Sequence, residues 1–146
     1  VLGLLQHDLE SSHVTVATEH LVNLPPVRAD RIQLQQIVLN LVKNAIEAMS
    51  SVPAGSRQVR VVTRLNGNST VLLSVQDSGH GITAEHQGRI FDPFFTTKPT
   101  GMGLGLAICR TVAQDHGGNL RLVETSSHGS IFEIELPIAS TDDVPN

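Results

Sequence analysis

Cysteine occurs once in this 146-residue chain, at Cys109, so no intrachain disulfide can form and no cysteine cluster can hold a metal. Tryptophan and tyrosine are absent and only four phenylalanines occur, which leaves most of the packing to aliphatic side chains. A formal net charge of -4 gives no general attraction to polyanions, so neither nucleic acid nor direct membrane contact is expected. No run approaches the roughly 18 uninterrupted apolar residues of a membrane span. The start, VLGLLQHDLE, lacks the charged-then-apolar order of a signal peptide. These absences lead us to expect a domain in a reducing cytoplasm, and the missing initiator Met suggests a piece of a longer protein. What remains is enough to fold: 40% hydrophobic against 16% charged residues supports a real core, and the length fits one domain.

Along the chain, residues 1–12 read as the end of a preceding helix or linker, with Leu2, Leu5 and Leu9 at helical spacing. Residues 13–138 read as the domain, and the polar stretch 139–146 as a flexible tail. Weak alternation from His13 to Glu19 suits a strand, broken at Leu24-Pro25-Pro26. Asp30 is placed as an N-cap with Gln33 in the capping-box position. Leu34, Ile37, Val38, Leu41, Val42, Ala45, Ile46 and Met49 then follow the rhythm of an amphipathic helix. Two strands, Gln58 to Arg64 and Thr70 to Gln76, flank the hairpin signal Asn66-Gly67. Residues 77–103 lose periodicity, with one short helix expected over Ala84 to Ile90, and a long irregular stretch of this kind points to function. Helical spacing returns from Leu104 to Asp115 and stops at Gly117-Gly118, before strands Asn119 to Thr125 and Ser130 to Leu136. The fold expected is α+β, a two-layer sandwich with helices on one face of a mixed, mostly antiparallel sheet.

Four constellations carry chemistry. Asn40 and Asn44 stand about 40° apart on one side of the long helix, where an amide can offer oxygen to a hard cation and N–H to a phosphate without adding charge. Asp77-Ser78-Gly79-His80-Gly81-Ile82 follows a strand; its carboxylate can accept from an exocyclic amino group, although the same residues also make a plain capped turn. Gly101-Met102-Gly103-Leu104-Gly105-Leu106 enters a helix, where free N–H groups make an anion site. It lacks the Gly-Lys-Ser/Thr ending of a P-loop, and it follows a loop rather than the strand a dinucleotide fingerprint requires. Phe91-Asp92-Pro93-Phe94-Phe95 gathers three of the four phenylalanines, which we expect to anchor a mobile lid and leave Thr96, Thr97 and Lys98 near the phosphates.

In their order and context these stretches resemble the boxes of bacterial sensor histidine kinases. NLVKNAIEAM (Asn40 to Met49) is similar to the N box, DSGHGI to the G1 box, FDPFF to the F box and GMGLGLAI (Gly101 to Ile108) to the G2 box. HGSIFEIELP is similar to the closing strand, and the short lid looks most like the nitrogen- and oxygen-regulatory branch. The resemblance implies the Bergerat ATP-binding fold shared with gyrase and the Hsp90 chaperone, with ATP and Mg2+ as its ligands. Carried over, Asn44 would ligate Mg2+, Asn40 would contact the phosphates or the metal's water, and Lys43 would neutralise charge nearby. These two asparagines are the catalytic candidates. Asp77 would accept from the adenine amino group beside Gly79, Gly81, Ile82 and Ser130. Phe95, Thr96, Thr97, Lys98, Gly101, Met102, Gly103, Leu104, Gly105 and Leu106 would complete the nucleotide site.

The resemblance implies transfer of the γ-phosphate to a histidine on a separate dimerisation and phosphoacceptor domain, and from there to a response regulator. In the gyrase and chaperone branch the place of Asn40 resembles one held by a water-activating glutamate; asparagine is no base at neutral pH, which speaks against hydrolysis. None of the seven histidines, at 7, 13, 20, 80, 86, 116 and 128, lies in an acceptor pattern, so the acceptor is expected outside this chain and the isolated piece is expected to be monomeric. The alternative carried forward is a non-catalytic module that senses ATP or ADP. A serine-kinase relative of the same fold is a lesser option.

Overall fold

The computed structural model describes residues 2–20, 23–97 and 102–139. Leu2–Leu5 form a single 3-10 turn that runs into helix α1 (Gln6–Ser11). Its leucine spacing turns Leu5 and Leu9 inward, and both are buried in the main core. Burial of each such side chain stabilises by roughly 1.5–3 kcal/mol, which holds a helix too short to persist alone. The chain then turns at His13 into strand β1 (Thr15–His20).

Helix α2 (Arg31–Ala48) begins at the expected cap: Asp30 is extended, and its Oδ1 accepts from the Gln33 N–H at 2.9 Å. The reciprocal half of the capping box is replaced. Asp30's own N–H donates to His116 Nε2 at 3.0 Å, so a tertiary contact takes the place of a local one. The apolar stripe of α2 buries Ile37, Val38, Leu41, Val42, Ala45 and Ile46.

Strands β2 (Gln58–Asn66) and β3 (Thr70–Asp77) form the expected hairpin, with Asn66 paired to Thr70 across the turn. Helix α3 (Ala84–Gln87) is shorter than the sequence predicts, because the chain turns at Gly88 and carries Ile90 into the core. Helix α4 (Gly105–Asp115) stops as expected: Gly117 has a φ of 78°, and the Gly118 N–H reaches back to the Ala113 carbonyl at 3.0 Å. Strands β4 (Asn119–Ser126) and β5 (Gly129–Pro137) complete the fold.

The sheet runs β1-β2-β3-β5-β4, with β1 and β2 parallel and the other three pairs antiparallel. Strand alternation sends Val59, Val61, Val75, Leu120, Phe132 and Ile134 to the side covered by α2 and α4, where they form one core with the helices. This is the two-layer α+β sandwich expected from the sequence. The opposite face is largely polar but ordered, with Leu72 buried among the polar side chains. There Glu133, only 4% exposed, accepts from Arg64 (3.1 Å), Ser74 (3.0 Å) and Arg121 (3.1 Å). Both guanidinium groups keep about half their surface in water, so the pair is covered rather than sealed. No helix among the described residues is long and apolar enough to cross a membrane.

The join between α4 and the sheet is tight at Gly118, where a Cβ would run into the backbone of Glu135. Gly118→Ala should therefore cost about 3 kcal/mol and lower the melting temperature by roughly 10 °C. Gly55, whose Cβ would meet nothing within 4 Å, provides the control. Gly55→Ala should leave the melting temperature unchanged or raise it slightly, as thermal unfolding would report.

Candidate functional site

Asp77 ends β3 on the side that faces the helices, and it is 5% exposed. Its Oδ1 accepts from the Gly79 N–H at 2.9 Å and the Ser130 N–H at 3.3 Å. Burial pushes the carboxyl pKa up, the two N–H groups pull it back, and burial wins. The turn is shaped around this carboxylate by two glycines. A Cβ on Gly79 would lie 2.7 Å from the Ala48 carbonyl oxygen at the end of α2, and Gly81, at a φ of 79°, presses against the Ser126 carbonyl. The Ile82 N–H donates to Thr125 Oγ1 at 2.8 Å, and Thr125 Oγ1 lies 2.8 Å from Ser130 Oγ. Ser78 faces away, donating to the Ser56 carbonyl at 2.7 Å and accepting from the Gln58 N–H at 2.9 Å. The capped turn is present: the Asx bond from the Gly79 N–H exists, and it orients the acid.

On α2, Asn40 and Asn44 are half-buried and Lys43 is exposed. Asn40 Nδ2 donates to Cys109 Sγ at 3.5 Å, across from α2 to α4. Cys109 is 1% exposed; burial pushes its thiol up, the Asn40 bond offsets part of this, and the residue stays a thiol. The sequence offers no sign of that partnership, since nothing in either residue's spacing refers to the other.

The phenylalanine cluster divides by role. Phe91 is half-buried, edge-on to Phe132 at 6.3 Å, with the Arg110 guanidinium 4.8 Å above its ring. Phe95 is half-buried beside His86 (5.3 Å) and Arg89 (4.7 Å). Phe94 departs from the expectation of three anchors. It is 71% exposed, because a φ of 68° turns its ring outward while its N–H donates to the Gly103 carbonyl at 2.9 Å. That bond ties the phenylalanine-rich segment to the glycine-rich entry of α4. Thr96, Thr97 and Met102 are exposed; Lys98 and Gly101 lie outside the described residues.

Helix α4 begins at Gly105 with no side-chain cap from Leu104, and the space beside Gly105 is open. Leu106 packs against the core and fixes the helix start. The first N–H groups of α4 therefore present the positive end of the helix dipole. Among the described residues no group of three His, Cys, Asp or Glu could cage a metal. The amide oxygens of α2 suit a hard cation that brings most of its ligands with it. A cleft of about 620 Å3 lined by Arg28, Asp30, Asp115 and His116 lies at the other end of α4, apart from these residues.

Residues 29–140 match the family model described as histidine kinase-, DNA gyrase B-, and HSP90-like ATPase. The sensor protein TdiS of Thauera aromatica is 39% identical over 94% of this chain, which spans 25% of TdiS. The catalytic domain of histidine kinase ThkA superposes with a TM-score of 0.81 at 33% identity, covering 94% of this chain and 89% of that one. ThkA has also been solved in complex with the response regulator protein TrrA, with a TM-score of 0.77 at 32% identity over 94% of this chain and 38% of that one. Full-length ShkA in complex with AMPPNP superposes with a TM-score of 0.82 at 28% identity, over 95% of this chain and 28% of ShkA. A family model that covers most of the chain, and an ordered set of boxes built onto the matching fold, lead to one conclusion: the chain belongs to the histidine kinase-, DNA gyrase B- and HSP90-like ATPase family, as a catalytic domain of the sensor histidine kinase type.

Proposed function

We propose that this domain binds Mg-ATP between α2, the Asp77–Ile82 turn and the start of α4. It then donates the γ-phosphate to a histidine of a separate dimerisation and phosphoacceptor domain, with a response regulator downstream. The domain proper would be residues 13–138, acting in the cytoplasm where ATP is supplied, with 1–12 as the end of a preceding helix. The observation that carries this reading is the buried Asp77, whose Oδ1 is occupied by two N–H groups in a turn that two glycines let approach the backbone of Ala48 and Ser126. A buried acid in that setting suits the adenine amino group, with Gly79, Gly81, Ile82 and Ser130 lining the base. The uncapped start of α4 suits the phosphates, with Met102, Gly103, Leu104, Gly105 and Leu106 giving N–H donors and room. Phe95, Thr96 and Thr97 would close over them from the lid.

Asn44 would hold Mg2+, with Asn40 and Lys43 beside the phosphates. When bound, the cation would supply charge neutralisation at the phosphate oxygens. The transfer itself asks little covalent work of the protein. A neutral imidazole nitrogen attacks the γ-phosphorus, the bond to the bridging oxygen breaks, ADP leaves, and the imidazole proton passes to solvent. Asn40, which cannot act as a base, leaves water unactivated, so ATP waits for the better nucleophile.

Calorimetric titration with Mg-ADP and a non-hydrolysable ATP analogue tests this directly. Saturable binding by the wild-type chain is expected, and a folded chain that binds neither nucleotide would sink the proposal. Asp77→Asn should weaken binding at least about tenfold, the scale of one hydrogen bond to a charged group. The same variant should not lose stability at neutral pH. Because burial raises the folded pKa of Asp77, its stabilising contribution is present below the unfolded value and lost as pH rises through the folded one. The stability difference between Asp77→Asn and wild type should therefore shift in the variant's favour from about pH 4 to pH 7, as melting curves across that range would report. Nucleotide affinity of the wild type should fall as pH drops through the raised value.

Two substitutions on α2 address the phosphates. Asn44→Asp should reduce Mg-ATP affinity or transfer by about tenfold, since a like charge near the phosphates costs one to several kcal/mol. Asn40→Glu should slow transfer to an acceptor domain supplied in trans; transfer at the wild-type rate would remove Asn40 from the account.

A further inference from the structure

Thr125 belongs to none of the four boxes, yet it is the residue on which the base end of the site closes. Its Oγ1 accepts from the Ile82 N–H at 2.8 Å and lies 2.8 Å from Ser130 Oγ. Ser130 is 3% exposed and its N–H is on Asp77 Oδ1. Gly81 sits so close to β4 that its Cβ would lie 2.9 Å from Thr125 Oγ1. One side chain therefore joins the turn after Asp77 to the strand that carries Ser130.

A hydroxyl has one proton and two lone pairs. The Ile82 N–H takes one lone pair of Thr125, so Thr125 must either give its proton to Ser130 or accept Ser130's. The two cases differ at the pocket. If Thr125 gives, Ser130 keeps its own proton to donate onward; if Thr125 accepts, Ser130 offers only lone pairs. A purine with an amino group next to a ring nitrogen presents a donor beside an acceptor. Asp77 answers the donor, and a Ser130 proton answers the acceptor. A 6-oxo purine presents the reverse pattern: its oxygen meets the Asp77 carboxylate acceptor to acceptor, and its ring N–H has no use for the Ser130 proton.

Resting on the nucleotide reading above, we infer that Thr125 is a positioning residue for base recognition: it gives its proton to Ser130, directs the Ser130 hydroxyl toward the ring nitrogen, directly or through a water, and holds Ile82 against β4. Thr125 does not itself touch the nucleotide. Its effect is on which purine is accepted, separate from the phosphate end.

The experiment compares wild type, Thr125→Val, Thr125→Ser and Ser130→Ala by calorimetric titration with Mg-ADP and Mg-IDP, after thermal melts have shown each variant folded. Valine keeps the shape and the strand preference of threonine while removing the hydroxyl. Thr125→Val should weaken ADP binding by about tenfold, the scale of one lost hydrogen bond with a partner left unpaired. IDP binding should change far less, so the preference for ADP over IDP narrows. Thr125→Ser should restore both affinity and preference. In a Ser130→Ala background, Thr125→Val should have a clearly smaller effect, because the relay has already lost its second member. A Thr125→Val chain that binds ADP with unchanged affinity and preference would overturn the inference. So would equal losses for ADP and IDP that serine fails to restore, since that is the pattern of lost packing. A wild-type chain that binds no nucleotide would overturn the nucleotide reading and this inference with it.

Discussion

The interaction on which the site depends is the bond set around Asp77 Oδ1. A carboxylate at the end of a central strand is out of water, and burial pushes its pKa up. The N–H groups of Gly79 and Ser130 offset part of that cost, and they come from two different places in the chain. Gly79 belongs to the turn that follows β3, whereas Ser130 is the second residue of β5, which pairs with β3 in the sheet. The second of these N–H groups therefore reaches the acid through the pairing of β3 with β5. The turn also meets the end of α2, where the Ala48 carbonyl leaves no room for a side chain at Gly79. Fold and site are coupled through one oxygen atom.

Around that point the two long helices are joined by two polar contacts, one midway along both and one where the start of α2 meets the end of α4. Near the site, Asn40 of α2 reaches Cys109 of α4; at the far end, His116 closes α4 and receives the N–H of Asp30, the cap of α2. His116 Nδ1 lies 2.7 Å from the Val112 carbonyl, so that nitrogen carries the proton and Nε2 is free to accept. These polar pins cross a seam that is otherwise apolar, and they set the rotation of each helix where packing alone leaves freedom. The consequence for the site is that the asparagine side of α2 and the N–H groups of α4 keep a defined relation. The Phe91–Phe95 segment is added to this frame by the Phe94–Gly103 bond and by Phe91 packed edge-on to Phe132.

The polar outer face of the sheet follows a different rule. Glu133 is covered by two arginines from β2 and β4 and by Ser74 of β3, which spans the sheet with hydrogen bonds rather than apolar contacts. This leaves every strand after β1 tied across its outward side while the inward side carries the core. The arrangement lets one face remain in water without exposing a flat apolar surface.

Much of this was legible in the residues. The period of α2 and its Asp30 cap, the glycine stop of α4, the two hairpins and the location of the irregular stretch all depend on neighbours in the chain, and local physics decides them. The ordered boxes also identified the family, because each combines residue types whose chemistry is explicit. What local spacing could not show is which partners the side chains find. The half-replaced capping box at Asp30, the outward Phe94, the Asn40–Cys109 bond and the Thr125–Ser130 pair each join residues that meet only when strands and helices stack. The sequence by itself determined the main elements, the family and the candidate site residues. Tertiary structure decided the orientation of each candidate, since a hydrogen bond's direction is set by the atom across the gap and that atom comes from elsewhere in the chain.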